Sequence, residues 1–487
     1  MKYKVWGLMV LMVAVAAAVA ASALAPEKST HRVHQHRESR QPDEGCTCGN
    51  ATLCTHLPLV VIDTAGAAIP GEVIVDENRT EIGVTTTESG EAMLPVQIAV
   101  VDNEASNNHP GDAPALSSSA LIRIRGNSSR FFDKKSYLVR FTKEDGSYAN
   151  HEVMGMDAHY EWALYGPYLD KSLIRNYMWY NIAGEIMDYA PNARFCEVIV
   201  NGEYRGLYVM VETITSGENS RLNLTEPLDG LNKTGFVLRL DRGSSNPVKN
   251  IETFSQYSYR NFQQVDIKYP RAGQLTPELA GAIAQEVSDF EKALYSYDYD
   301  TDDYGYWHYI DADSFADYFI INEFTANYDA GWLSTYLYKD VGDTYKMVIW
   351  DFNSACENYT HVVSEPQHME LQNNVWYYML TKDEYFNNKV IRRYRQLRKT
   401  YLSEDYLNQY IDETIAYLGG AIERNFAVWG YTFDADMIQP SERNPRTHEA
   451  AVHQMKAFIH TRGQWMDEHL EILLQYSHES KVKKFNH

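Results

Sequence analysis

Short runs of alternating apolar and polar residues dominate the chain from Leu57 to about residue 270. A period of two places successive side chains on opposite faces of a strand, and Gly, Pro and Asn separate these runs. Asn201-Gly202 is the pair typical of a two-residue hairpin turn, so its flanking runs are predicted to pair. The predicted strands are 59–62, 73–75, 95–100, 120–125, 135–141, 196–200, 205–211, 235–241 and 265–268.

Helical periodicity takes over in the second half of the chain. It predicts helices at 172–187, 277–295, 311–327 and repeatedly from about 383 to 474. Asp170 or Ser172 is expected to cap the first of these. The order predicts an α+β protein with a cleft between a β-rich lobe over 57–215 and a mainly helical lobe over 216–487.

Two carboxylates flank a short strand pair that interrupts the helical half. The apolar run 345–350 ends at Asp351 and Asn353, while Asp329 precedes a second strand-like run at 334–338. Divalent metals prefer hard oxygen ligands, and phosphoryl transfer depends on positioned charge. These residues therefore indicate a metal and phosphoryl-donor site. The alternative is that both Asp residues only end or begin strands, a common position for Asp.

Weaker candidates lie in the β-rich half. Gly126-Asn127-Ser128-Ser129 joins two predicted strands and offers backbone N–H groups and hydroxyls, which can cover phosphates. Lys134 and Lys135 open the next strand, where an ammonium group can reach phosphate oxygens. Glu212 ends the predicted hairpin. A plain hairpin turn, exposed lysines and a solvated carboxylate are the alternatives.

The N-terminal region carries a targeting signal and a cysteine cluster. Residues 1–25 carry Lys2 and Lys4 near their start and continue as an apolar run, which predicts a signal peptide or a signal anchor. Residues 26–56 are predicted to be a linker rich in His and Cys. Cys46, Cys48 and Cys54, with His56 nearby, leave three alternatives open: a zinc site, a disulfide from Cys54, or idle thiols.

The composition argues against nucleic acid as a partner. The 487-residue chain has a formal net charge of −22, whereas nucleic-acid binding requires clustered Lys and Arg. A high aromatic content, with 36 Tyr, argues against disorder. Together with the N-terminal signal, this composition predicts a protein that is secreted or held on the extracellular face of the membrane, with membrane contact only through the N-terminal anchor.

Several motifs in a fixed order resemble the CotH-type (spore coat protein H-like) kinases, an atypical family of secretory protein kinases. The resemblance runs from about Leu59 to Met379, and no single motif in it would be specific. The motifs are Arg125-Gly126-Asn127-Ser128-Ser129, Lys134-Lys135-Ser136-Tyr137, Asp170 to Asn176, Asn201-Gly202 to Tyr208, Ile267-Lys268-Tyr269-Pro270 and Trp350-Asp351-Phe352-Asn353.

The resemblance implies ATP-dependent phosphorylation of Ser or Thr hydroxyls in a secreted or surface protein, with Mg²⁺ or Mn²⁺. It implies that Asp329 orients the attacking hydroxyl and that Asp351 binds the metal. It implies further that Gly126 to Ser129 and Lys135, or Lys134 as the alternative, contact the ATP phosphates. Glu212 would lie near adenine, and Glu185 is a candidate partner for the lysine.

Two positions depart from the kinase pattern. Ser334 stands five residues after Asp329, where kinases often place a metal-binding Asn, and Asn353 replaces the second Asp of a Trp-Asp-x-Asp motif. Both Ser334 and Asn353 offer an oxygen to a metal, but neither brings charge. The alternative function is therefore a weak or inactive pseudokinase that serves as a structural or binding protein of a coat or cell surface.

Overall fold

Strands are the main regular elements in the first half of the chain in the computed structural model, which describes residues 32–42, 46, 48, 53–218, 221–257, 263–360 and 366–480. The strands are β1 Leu59–Asp63, β2 Val73–Val75, β3 Glu81–Val84, β4 Leu94–Val101, β5 Leu116–Arg125, β6 Ser136–Thr142, β7 His151–Val153, β8 Met156–His159, β9 Glu161–Tyr165, β10 Ala193–Val200, β11 Glu203–Glu212, β12 Phe236–Asp241, β13 Asn250–Ile251, β14 Gln264–Tyr269, β15 Thr335–Lys339 and β16 Lys346–Val348.

Seven of these strands close into a barrel in the order β1–β10–β11–β9–β6–β5–β4. β1 pairs with β10 in parallel and every other pair is antiparallel. The alternation in β4 buries Val96, Ile98 and Val100 inside the barrel. β10 is buried at every position, since its outer face packs against a helix. Closure removes the exposed edges that an open sheet would leave.

The second sheet has five antiparallel strands in the order β13–β14–β12–β15–β16. Helices pack around it and the barrel in one large apolar core. They are α1 Gln35–Glu38, α2 Arg175–Ile186, α3 Pro277–Tyr295, α4 Ala312–Phe324, α5 Tyr377–Leu380, α6 Glu384–Leu397, α7 Glu404–Leu418, α8 Gly420–Trp429 and α9 His448–His469.

The predicted α+β class is confirmed, and the predicted strands of the first half appear with small shifts of their ends. Three elements are shorter than predicted, and α4 is one of them, since it covers Ala312–Phe324 rather than 311–327. α2 begins at Arg175 because Leu173 has a φ of +69° and the Asp170 carboxylate accepts the Arg175 N–H at 2.9 Å. β16 ends at Val348, so Asp351 lies in a loop beyond the strand. The division into lobes at 57–215 and 216–487 stays a prediction.

Part of the predicted linker over 26–56 is instead packed into the fold. Gln35 and His36 in α1 are buried. β1 pairs with β10 only from Glu197 onward, so the backbone of Phe195 lies beyond its reach. The Gln35 amide takes the place of a strand there: its oxygen accepts the Phe195 N–H at 2.6 Å, and its nitrogen donates to the Phe195 carbonyl at 3.1 Å. Local composition does not predict this contact, because Phe195 lies 160 residues away from Gln35 in the chain.

The predicted signal or anchor at 1–25 lies outside the described residues. Within the ranges that the structure describes, none of the helices combines the length and the apolar character needed to cross a membrane.

Replacing Gln35 by Ala should lower the free energy of unfolding by about 2 kcal/mol or more. The reason is that two buried backbone groups of Phe195 lose their partners, and an unsatisfied buried polar group costs roughly 1–3 kcal/mol. Urea unfolding measures the difference. Gln396→Ala, at an exposed position of α6, is the matched control and should change stability little. Equal effects of the two substitutions would contradict the packing of α1.

Candidate active site

Three strand ends meet at one edge of the five-stranded sheet. In the antiparallel pair of β15 and β16, Tyr336 faces Val348, so the start of β15 and the end of β16 lie side by side. Leu240 in β12 faces Thr335, which brings the end of β12 to the same place. The sheet therefore gathers Asp329, which precedes β15, Asp351, which follows β16, and Asp241, which ends β12.

Asp329 lies in the turn between α4 and β15. Its backbone carbonyl accepts the Leu333 N–H at 2.8 Å, which fixes the turn. Its Oδ1 atom is buried and has no hydrogen-bond partner among the residues that the structure describes. Burial, and then the negative charge of Asp351, raise the pKa of Asp329 to about 7. The carboxyl group is thus poised between its charged and neutral forms near neutral pH.

Asp351 is held by α2. Its N–H donates to the Tyr180 hydroxyl at 3.1 Å, and the next N–H, of Phe352, donates to the Asn176 amide oxygen at 2.6 Å. Asp351 has a φ of +61°, a left-handed conformation that is uncommon outside glycine and tolerated best by Asn and Asp. Such backbone strain concentrates at functional sites. Burial raises the pKa of Asp351, while the Arg125 guanidinium opposes the rise.

Two arginines face these carboxylates. Arg125 ends β5 and lies over the Trp350 ring, 5.4 Å from its centre. Arg242 follows Asp241, and its charge partly opposes the rise in the pKa of Asp329. No role for either arginine follows from the sequence pattern alone. The sequence pattern at Arg242 is nevertheless the one that indicates Asp351: Asp241-Arg242 is a charged pair at the end of a predicted strand.

The loop at 126–129 joins this cluster through Arg242. Oriented to suit its neighbours, the Asn127 amide oxygen accepts from Nε of Arg242 at 2.9 Å. Gly126 has a φ of +112°, and a Cβ atom there would lie 1.9 Å from the Ser129 hydroxyl oxygen. Only glycine fits, so the loop folds tightly, and Ser128 and Ser129 open a short 3₁₀ helix.

The atoms around the two carboxylates suit a divalent cation. Besides Oδ1 of Asp329, the buried amide oxygens of Asn327 and Asn353 have no hydrogen-bond partner within the described part of the chain. Asn327 also donates to the Asp351 carbonyl at 3.2 Å, and the Asn353 N–H supports the charged form of Asp351. Carboxylate and amide oxygens are the ligands that Mg²⁺ and related hard cations prefer. A cation here would also offset the repulsion between Asp329 and Asp351.

Lys134 belongs to the core, which corrects its place as the alternative phosphate-binding lysine. Its ammonium group is buried and donates to the Leu207 carbonyl at 2.7 Å and to the Asn425 amide oxygen at 2.6 Å. Burial holds the pKa of Lys134 well below its usual value. An ammonium group enclosed in this way, between β11 and α8, has no path to a phosphate.

Lys135 lies nearer the surface. It donates to the Arg130 carbonyl at 2.9 Å and lies 3.4 Å from the half-exposed carboxylate of Glu72. Its role at the ATP phosphates stays a prediction. Glu185, suggested as its partner on α2, instead contacts His34 at 2.8 Å and the Tyr401 hydroxyl at 3.3 Å.

Two other predicted residues lie apart from the cluster's hydrogen bonds. Glu212 is buried, and its carboxylate accepts the Asn192 backbone N–H at 2.9 Å and the Asn192 side-chain amide at 3.3 Å. Ser334 precedes β15 with a φ of +48°, and within the described ranges it makes no hydrogen bond to Asp329 or Asp351. The roles of Glu212 near adenine and of Ser334 at a metal stay predictions.

A protein-family model matches most of the chain. The family is described as CotH kinase protein, and the match covers residues 122–466, well over half of the 487 residues. It spans Arg125, Asp241, Arg242, Asp329 and Asp351. No curated protein sequence matches the chain.

Asp329 should make the stability of the metal-free protein depend on pH. Its pKa in the folded protein, about 7, lies above the ordinary value of 3.8. The protonated carboxyl therefore stabilises the fold below about pH 4, and this contribution is lost as the pH rises through 7. The loss is at most about 4 kcal/mol, from roughly 1.4 kcal/mol per pKa unit.

Urea unfolding between pH 4 and 8 measures this contribution as the difference between the wild type and Asp329→Asn. The variant should lose less stability over this range, and Mg²⁺ should reduce the loss in the wild type. Asp302→Asn, at an exposed position, is the control and should follow the wild type. A wild type and an Asp329→Asn variant with the same pH profile would contradict the raised pKa.

Proposed function

Because the chain belongs to the CotH kinase family, we propose that it transfers the γ-phosphoryl group of ATP to Ser or Thr hydroxyls of a protein, with Mg²⁺ or Mn²⁺. The observation that carries this proposal is the pair of carboxylates, Asp329 and Asp351, which meet at one sheet edge between two arginines. We also propose that the α+β fold forms the two lobes of a kinase, with this edge in the cleft.

Asp351 and Asn353 would hold the divalent cation, with the Asn327 amide oxygen as a further ligand. The cation supplies charge neutralisation at the phosphates when it is bound. Arg125 and Arg242 bring positive charge to the same side of the sheet and would bind phosphate oxygens that the cation leaves exposed. Arg242 also connects to the Gly126 to Ser129 loop through Asn127, so the loop would close over the phosphates together with this arginine.

Asp329 would act as the general base. It accepts the proton of the Ser or Thr hydroxyl, and the hydroxyl oxygen attacks the γ-phosphorus. A new O–P bond forms as the bond from the γ-phosphorus to the β,γ-bridging oxygen breaks, and ADP leaves with the electrons of that bond. A base is most effective when its pKa lies near the working pH, and the burial that raises the pKa of Asp329 in the metal-free protein favours proton acceptance.

Lys135 would contribute to ATP binding by exchanging partners. Its contact with Glu72 joins a 20% exposed side chain to a 54% exposed one. Ion pairs of this kind are worth roughly 0–1 kcal/mol, so a phosphate group can replace Glu72 at little cost. Glu212 would support the adenine side of the site through its position at the end of β11.

We propose further that the protein is secreted or held on the extracellular face of the membrane, and that its substrate is a secreted or surface protein. The apolar residues 1–25 and the net charge of −22 support this location. The uncharged side chains of Asn353 and Ser334, where kinases often carry metal-binding residues, favour a second candidate, a pseudokinase that binds nucleotide and acts as a coat or surface protein. Transfer of labelled γ-phosphate to protein, measured with Mg²⁺ and with Mn²⁺, distinguishes the two.

Substitution of the two aspartates should separate catalysis from metal binding. Asp329→Asn should keep metal-dependent ATP binding and lower phosphate transfer by roughly 10²- to 10⁴-fold, the range for a general base. Asp351→Asn should lose the metal dependence of ATP binding, because the charge that attracts the cation is gone. Asn tolerates the left-handed backbone at 351, so the fold should persist. Labelled-phosphate transfer and calorimetric titration of ATP with and without Mg²⁺ measure the two effects.

The opposite pattern would assign the roles differently. An Asp329→Asn variant that loses ATP binding would make Asp329 a metal ligand. If it kept full activity, the cleft would do no chemistry through Asp329. A wild type that binds ATP without transferring phosphate, to itself or to extracellular proteins, would establish the pseudokinase.

Lys135→Met should weaken ATP binding by about 10- to 100-fold, the equivalent of roughly 1.5–3 kcal/mol for a charge-assisted hydrogen bond. Adenosine binding should stay unchanged, because adenosine carries no phosphate. Lys143→Met, at an exposed position past the end of β6, is the control. If the Lys135 substitution weakened both ligands equally, the lysine would act on the fold rather than on the phosphates.

A further inference from the structure

Three cysteines and a histidine converge at the N-terminal side of the barrel. Cys46, Cys48 and Cys54 precede β1, and His109 lies in the loop between β4 and β5. One ligand atom from each residue lies within 4.8 Å of all the others, and the three cysteines are free thiols. None of the four residues belongs to the candidate active site.

Backbone pairing explains why residues so far apart in the chain meet. Thr55 and Asn108 form an antiparallel bridge, in which the Thr55 N–H donates to the Asn108 carbonyl at 3.2 Å and the reverse bond measures 2.6 Å. The Asn108 side chain also donates to the Leu57 carbonyl at 2.9 Å. This bridge places Cys54 next to His109, so these two members of the cluster are held by paired backbone.

The distances suit a tetrahedral metal. Zinc binds thiolate sulfur at about 2.3 Å and imidazole nitrogen at about 2.0 Å, so neighbouring ligand atoms lie roughly 3.5–3.8 Å apart. Sγ of Cys46 lies 3.5 Å from Nε2 of His109. The remaining ligand atoms all lie within 4.8 Å of one another, which is close to this spacing.

Groups around the cluster prepare its ligands. Nδ1 of His109 lies 3.1 Å from an oxygen of Asp112, which also accepts the His109 backbone N–H at 2.9 Å. Asn103 donates to the same Asp112 oxygen at 3.1 Å. A carboxylate on Nδ1 holds the proton there and leaves Nε2 free to bind metal, the usual arrangement around a zinc histidine.

The thiolate side of the cluster is prepared in a similar way. The Asn107 amide donates to Sγ of Cys54 at 3.2 Å, a bond that stabilises the charged sulfur. His56, the imidazole nearest in sequence, takes no part, since it is buried with its ring centre 4.9 Å from that of Tyr417.

We propose that Cys46, Cys48, Cys54 and His109 bind one Zn²⁺ ion. Four protein ligands leave no position for water or substrate, so the site is structural. The ion fastens the segment that precedes β1 to the loop that joins β4 and β5. Binding releases the protons of the thiols, and the three thiolates and neutral imidazole complete the coordination.

Zinc content and cobalt spectra test the proposal on the full chain, purified without an affinity tag under reducing conditions. The wild type should carry about one zinc ion per chain by mass spectrometry of the metal. Zinc should fall to near zero in His109→Ala and in a Cys46→Ser, Cys54→Ser double variant. His453→Ala, at an exposed position of α9, is the matched control and should keep the ion.

Cobalt substitution of the wild type provides a measurement that needs no variant to fold. Co²⁺ should give thiolate charge-transfer bands and the intense visible bands of a tetrahedral site. The thiols of the cluster should resist alkylation until a chelator is added. A zinc-free wild type that takes up no zinc, or a His109→Ala variant that keeps the ion, would overturn the proposal. So would an octahedral cobalt spectrum, or a disulfide in the cluster, shown by a mass lower by two hydrogens in wild type purified without reductant.

Discussion

The burial of the Arg175 guanidinium is the constraint on which the position of Asp351 depends. The side chain is 2% exposed, so its donors must find partners inside the protein. It pairs with Asp170 and donates to the carbonyls of Ala355, at 2.9 Å, and Cys356, at 3.3 Å. These bonds tie the loop after Asp351 to the first turn of α2. The next residues along α2 then reach the loop's backbone through Asn176 and Tyr180.

A second buried guanidinium does the same for Asp329. Arg462 in α9 is completely enclosed and donates to the backbone carbonyl of Glu323 at 2.7 and 3.0 Å and to its carboxylate at 2.6 Å. Glu323 accepts in turn the N–H groups of Glu370 and Leu371, both at 2.8 Å. This network fixes the end of α4 just before the turn that carries Asp329. Breaking either buried pair costs roughly 3–5 kcal/mol, because a charge is left without a partner.

The sequence predicts those parts of the fold that depend on local patterns. Period-two alternation located most barrel strands, and the polar ends of apolar runs pointed to Asp329 and Asp351. The sequence does not predict the proximity of Arg242 to Asp329, because this proximity depends on β12 lying beside β15. Strand order does not follow from local composition. The same holds for His109, which joins the cysteines through a bridge between distant loops.

The burial of Lys134 is the clearest example of a feature that local sequence patterns do not predict. A lysine next to an amphipathic strand is normally exposed, but Lys134, which precedes β6, is buried between the Leu207 carbonyl and an oxygen of Asn425, which lies 291 residues further along the chain. This separation has a consequence for the order of assembly. The Lys134 ammonium group gains one acceptor within the barrel, the Leu207 carbonyl, but the other belongs to α8, one of the last helices. The barrel therefore reaches its full stability only once α8 has packed against β11.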